Sequence, residues 1–212
     1  MLPSELCTEK YLHPRDNDAR QFAVCTLYKK NMEQQLQKEV SKTLVNLIEV
    51  LSSIDEKKIN VIPFQDSWTA GELAQHMIMS NSGFDELMNG PVKETERNPD
   101  ELIERIKTAF LDFSHKMQSP DFVVPPKRDY NKHDLLHSLE HIRQRLGKTL
   151  EESDLAKTCV AFEIPVLGYL TRLEAAHFVL YHTKRHTHQL KNIATTLATS
   201  NDPSINEESL LS

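Results

Sequence analysis

The sequence predicts an all-α chain: an antiparallel four-helix bundle carrying one extra helix and a long crossover. Three observations predict it. Only 5 glycines stand against 10 prolines, with 26% of residues charged, a balance that suits helices joined by proline-marked loops better than a β-sandwich with its many glycine turns. Apolar residues recur at three- and four-residue steps in five separate stretches of the chain. Two of those stretches open on Thr-x-x-Glu, at Thr69 to Glu72 and at Thr171 to Glu174. This is the capping box, in which the hydroxyl accepts from the N3 amide while the carboxylate reaches back to the cap amide. With 212 residues and 39% apolar content, one substantial core and a single domain are expected.

Residues 1–31 show no sustained period, and the polar run from Thr8 to Arg20 carries Pro14. Two alternatives stand for this stretch: an N-terminal arm, or an annotation artefact with translation starting at Met32. A first helix over 32–54 follows from Leu36, Val40, Thr43, Leu44, Leu47, Ile48 and Leu51. Pro63 marks the connection to a second helix over 70–88, with Leu73, Met77, Phe84 and Leu87 on its buried side. Asn89-Gly90-Pro91 stops it. Asn98-Pro99-Asp100 then starts a third helix with Pro in its first turn, burying Leu102, Ile106, Ala109, Phe110 and Phe113 and ending near Met117. Three prolines between Ser119 and Pro126 forbid helix there and require an extended crossover. A fourth helix covers 132–153. Pro165 and Gly168 mark the next loop, with a short extended piece over 159–162, and the last helix runs over 172–198. The bundle domain is thus 32–198, and the polar, acidic residues 199–212 form a disordered tail.

Charge and cysteine usage exclude several function classes. The net charge is −6 with a pI of about 5.9, and no segment gathers Lys and Arg into a stripe, so nucleic acid is not an expected partner. Cys7, Cys25 and Cys159 are too few and too scattered for a disulfide framework or a metal knuckle, and they read as reduced thiols. The N-terminus lacks a signal-peptide layout, and no run approaches the ~20 apolar residues of a membrane span. A soluble, cytoplasmic protein is expected.

The chemistry is concentrated in the last helix. His182 and His186 are one turn apart and share a face, about 40° from one another on the helical wheel. Ala175, Phe178, Val179, Gln189 and Ile193 lie within about 60° of His182 on the same wheel, so two imidazoles interrupt an apolar stripe that faces a core. Buried rings need partners, since an unsatisfied buried polar group costs about 1–3 kcal/mol. His76 borders the apolar stripe of the second helix. Together His76, His182 and His186 form a facial set of three imidazoles for one divalent ion, with open positions for water or substrate. Gln189 is placed to hold a ligand ring from behind. Satisfied core histidines in an interaction protein remain the bland alternative.

Other histidines are set aside by direction. His133, His137 and His141 are spaced for a metal ladder, but they share a side with Glu140, Gln144, Lys148 and Glu151, opposite Leu135, Leu139, Ile142, Leu146 and Leu150. That ladder is read as a solvated surface. His177 and His188 project about 140° and 120° away from His182. Thr183 stands where His-Glu-x-x-His would place its general base, which disfavours a peptidase. Glu72, one turn before His76, is a weak catalytic candidate whose blander role is the cap. Trp68 and Tyr181 read as packing residues.

Read together, Trp68-Thr69-x-Gly71-Glu72-Leu73-x-x-His76 and Leu180-x-His182-x-x-x-His186-x-x-Gln189-Leu190 resemble the DinB/YfiT-like family of four-helix-bundle metalloproteins. Ser119-Pro120, Pro165-x-x-Gly168 and Leu170-Thr171-x-x-Glu174 are similar to one branch of it. The resemblance spans about residues 32–197. It implies a divalent metal (zinc, nickel, iron or manganese) on His76, His182 and His186, a small-molecule substrate and a homodimer. The activity it implies is that of a metal-dependent enzyme activating a thiol or water nucleophile, as a thiol-dependent S-transferase or a hydrolase. The alternative is a non-catalytic metal-binding or stress-associated bundle. The family's common ending His-Arg-Gly-Gln is replaced here by His186-Thr187-His188-Gln189, a departure that bears on a low-molecular-weight thiol cofactor and leaves the metal ligands intact.

Overall fold

Why the four long helices pack as they do follows from where their ends meet. In the computed structural model, which describes residues 17–199 apart from residue 116, and side chains from residue 23 onward, the helices are α1 Asn17–Ser53, α2 Ala70–Asn89, α3 Ile103–Leu111, α4 Lys132–Glu152 and α5 Arg172–Thr199. At one end of the bundle Lys58, just past α1, donates to the Leu197 carbonyl near the end of α5. There too the Asn60 amide donates to Tyr130 O at 2.9 Å and Lys132 Nζ to Ser52 O at 2.7 Å. At the other end Arg172 Nε donates to Met88 O at 2.7 Å and Leu173 N to Leu155 O at 2.8 Å. So α1 and α5 run one way, and α2 and α4 the other.

Around the bundle, α1 packs against α4 and α5, and α2 packs against the same two. The ring order is α1, α4, α2, α5, which sets the consecutive helices α1 and α2 diagonally. Packing is antiparallel for α1 with α4 and for α2 with α5, and parallel for the other two neighbouring pairs. The expected bundle with an extra helix and a long crossover is present, and its direction pattern comes from that crossover. Residues 90–131, which include α3, return the chain to its starting end before α4 begins. A two-stranded antiparallel ladder, β1 Val92–Lys93 against β2 Thr158–Cys159, ties the start of this crossover to the loop before α5.

The core falls into two apolar clusters stacked along the axis. One gathers Val40, Leu44, Phe84, Leu146 and Leu180; the other gathers Leu47, Leu73, Met77, Leu139 and Leu190. Between them along α2 lie buried Ser80 and Asn81, and along α5 buried His182, Thr183, His186 and Thr187. A polar band therefore divides the core at mid-height. Among the described residues no helix is long and apolar enough to cross a membrane.

Several local expectations change. Helix α1 begins at Asn17, so Met32 lies inside a helix and not at its start. Residues 1–16 and 200–212, on which the rest of the arm-or-artefact reading and nearly all of the proposed tail fall, lie outside the described residues. Helix α3 is shorter than expected at Ile103–Leu111. Pro99 sits instead in turns closed by Glu101 N to Asn98 O and Ile103 N to Asp100 O, and Asp112 ends the helix by accepting from Ser114 N at 3.0 Å. Phe113 consequently falls past the helix, where it is 49% exposed and stacks on His188 at 4.4 Å, against its expected burial. Ala109 is exposed as well. The crossover is extended as expected except for one 3₁₀ turn, Asp121–Val123. Cys159 is free and buried, but Cys25 is disulfide-bonded, which corrects the expectation of three reduced thiols.

Candidate metal centre

Both helices that carry the site are set in rotation by their caps. Thr69 N donates to Glu72 Oε2 at 2.9 Å and Glu72 N to Thr69 Oγ1 at 3.1 Å. Thr171 and Glu174 repeat the pattern at 2.9 and 3.1 Å. Each box satisfies two orphan amides and fixes where its first turn begins, and with it the direction of every side chain downstream. The second box also anchors the crossover. Glu174 is completely buried and receives both Arg97 Nη atoms at 2.5 and 2.6 Å together with Leu102 N at 2.9 Å. This planar, charge-assisted fork holds the segment before α3 against the start of α5.

With those phases set, His76 from α2 meets His182 and His186 from α5. Their ligand-capable nitrogens all lie within 4.8 Å of one another, and all three residues are buried. His182 Nε2 is 3.0 Å from His186 Nε2 and 3.4 Å from His76 Nε2. The back of each ring decides which nitrogen is free. His76 Nδ1 donates to the Val123 carbonyl at 2.8 Å and His186 Nδ1 donates to Gln189 Oε1 at 3.0 Å. Those two rings therefore carry their proton on Nδ1 and turn an Nε2 lone pair inward. His182 Nδ1 is buried with no hydrogen-bond partner among the described residues. The rings are packed by Trp68 against His76 at 4.9 Å and by Phe110 against His182 at 5.2 Å.

Electrostatics keep the set neutral. Burial pushes the His186 imidazole down to about 3, aided by the charge of neighbouring His76 and by Arg185. Burial likewise holds His182 well below the ordinary histidine range, with His186, His76 and Arg185 acting in the same direction. His76 is lowered by burial against the opposing hydrogen bond to Val123. Three neutral imidazoles, two of them with an Nε2 lone pair turned inward, are in the protonation state that a divalent cation requires of its ligands.

The remaining sequence candidates are placed as follows. Gln189 supports His186, as described. Glu72 has both oxygens engaged, one in the cap and one with Lys127 Nζ at 3.1 Å, and it does not line the cleft. His133, His137 and His141 are all exposed and join no cluster of potential ligands among the described residues. His177 turns aside to Leu173 O at 2.9 Å, while His188 is exposed on Phe113. Sequence reasoning missed the Val123 carbonyl, Arg97 and Arg185. Arg185 Nη1 donates to Asp112 O at 2.8 Å and Nη2 to His115 O, clamping the chain after α3 onto α5. Backbone acceptors carry no residue signature, so nothing in the sequence marks them.

A cleft of about 1320 Å³ opens onto the three histidines, walled by Trp68, Phe84, Phe110, Val123 and Phe178. The floor is thus reachable by a ligand.

A family model described as the DinB superfamily matches residues 39–190. The uncharacterized protein YuaE of Bacillus subtilis (strain 168) is 23% identical over 151 residues, which is 68% of this chain and 87% of that one. Among solved structures the chain is similar to YfiT from Bacillus subtilis, described as a probable metal-dependent hydrolase with an unusual four-helix bundle topology. The TM-score is 0.53 at 11% identity, covering 80% of this chain and 89% of that one.

Proposed function

Because this chain belongs to the DinB superfamily, we propose that it is a metal-dependent enzyme in which His76, His182 and His186 hold one divalent ion at the floor of the cleft. One observation carries the proposal: three buried, neutral imidazoles aim ring nitrogens at a common point. Two imidazole nitrogens each about 2.1 Å from one ion stand about 3.0 Å apart at a right angle and about 3.4 Å apart at the tetrahedral angle. The two separations from His182 are 3.0 and 3.4 Å and all three ligand atoms lie within 4.8 Å of one another, a spacing that suits one shared ion.

Such an ion, keeping its full charge among neutral ligands, lowers the pKa of a bound thiol or water toward neutrality. The chain's own part is to orient and to exclude. Val123 O and Gln189 Oε1 fix two rings in the ligating tautomer, and aromatic side chains wall the approach to the floor. Hydrolysis is favoured over S-transfer, because the structurally similar YfiT is described as a probable hydrolase and Thr187-His188 departs from the family ending. The open cleft favours an enzyme over a non-catalytic metal store. A small-molecule substrate fits its dimensions; the homodimer and the cytoplasmic location rest on the family resemblance and the sequence composition.

Elemental analysis of protein purified without a histidine tag tests the assignment. One metal equivalent is expected, lost in His182→Ala and in His76→Ala but retained when His133, His137 and His141 are all replaced by Asn. Substoichiometric metal that is unchanged by His182→Ala overturns it.

A further inference from the structure

The cleft is apolar in its walls and carries more positive than negative fixed charge on its lining, Arg105 and Arg185 against Asp66, although the chain as a whole carries −6. Its volume of about 1320 Å³ is above the ~300–1,000 Å³ common for small-molecule sites. Aromatic side chains continue the wall outward beyond the histidines. Phe122 is 60% exposed and packs edge-on against Phe162 at 5.7 Å, and Phe64 and Phe113 are exposed beside the same opening. A contiguous exposed apolar surface around a concave mouth marks a binding surface.

Fixed charges on this lining are few. Among the described lining residues they are Asp66, Arg105 and Arg185. Arg185 spends its donors on the carbonyls of Phe110, Asp112 and His115, so it shapes the wall. Arg105 is different. It stands on α3 directly before the fully buried Ile106, lines the cleft, is exposed, and makes no hydrogen bond or ion pair with any described residue. Five donors in a planar fork are left facing the opening.

We infer that the substrate is an amphipathic acid: an aromatic or acyl body lying along the phenylalanine wall, with one carboxylate-like anion against Arg105. The identification of a substrate rests on the metal-centre reading above, whereas the binding preference does not need the ion. A hydrophilic molecule would leave the aromatic wall wet. A neutral apolar one would leave Arg105 unmatched, and a cation would meet two guanidinium groups against the single carboxylate of Asp66.

Fluorescence titration with 8-anilinonaphthalene-1-sulfonate and with its neutral counterpart N-phenyl-1-naphthylamine tests this, in chelator-treated and in metal-loaded protein. The acidic probe is expected to bind about five- to tenfold more tightly than the neutral one, as a partly exposed charge-assisted contact gives. Arg105→Gln is expected to erase that difference without altering the neutral probe, and Arg105→Lys to retain most of it. Naphthoate is expected to displace the acidic probe, and acetate at the same concentration is not. Circular dichroism melting confirms that each variant is folded. Equal binding of the two probes, an unchanged preference in Arg105→Gln, or competition by acetate overturns the inference. Preference kept in protein that fails to take up metal on loading sinks the metal assignment alone; a full metal equivalent with no preference sinks this inference alone.

Discussion

Acid should loosen the metal-free protein through His186 at a pH above that at which Asp112 and Glu140 titrate. The imidazole is held at about 3 in the folded chain against 6.5 when solvated. The unfolded state therefore binds a proton that the native state refuses, so stability is full above about pH 6.5 and falls as pH drops toward 3. At pH 5 the unfolded imidazole is protonated over the 1.5 units below its pKa, while the folded one remains neutral. At about 1.36 kcal/mol per unit, His186 alone costs about 2 kcal/mol at that pH. Any folded value below about 4 gives the same result, because the unfolded pKa sets the size. His182 and His76 are shifted in the same direction and add loss of the same sign. Asp112 and Glu140, both near 2 in the folded chain, act only at lower pH. Urea unfolding at pH 7.5 and pH 5.0 in the presence of a chelator, on wild type and His186→Gln, measures the difference. Wild type should lose about 2 kcal/mol more than the variant between the two conditions; equal losses would refute the assignment of a buried neutral ring.

Gln189→Ala removes the acceptor behind His186 and should weaken metal affinity about tenfold, read by competition against a chromophoric chelator, with the fold unchanged. Arg97→Ala strips the guanidinium from a carboxylate that is fully buried, the Arg side chain itself being 27% exposed. Urea unfolding should show a loss of about 2–3 kcal/mol, the lower end for a broken buried pair. Asn81 is fully buried with neither side-chain polar atom partnered among the described residues, so Asn81→Leu should raise stability by about 1 kcal/mol, and a fall in the melting temperature would contradict this.

Local chemistry made much of the molecule legible. The starts of α2 and α5 were readable because a capping box is satisfied within four residues, and the face shared by His182 and His186 because helical spacing fixes it. The His133 ladder could be discarded for the same reason, as its apolar stripe lies opposite. Where a signal depends on which turn the chain takes next, the reading slipped. Pro99 looked like the first turn of a helix and sits in a preceding turn, and Phe113 continued the apolar period of α3 although Asp112 ends that helix.

By itself the sequence determined the all-α class, the caps, and the directions in which His76, His182 and His186 leave their helices, since each is a property of spacing along one helix. Tertiary structure alone decided that His76 and His182, 106 residues apart, stand within ligand distance. That depends on the crossover setting α2 beside α5 and on Arg97 and Arg185 pinning it there. It also supplied the Val123 carbonyl behind His76, and it left Arg105 without a partner at the mouth of an aromatic cleft. Contacts between distant segments follow from packing the whole chain at once, and no residue spacing encodes them.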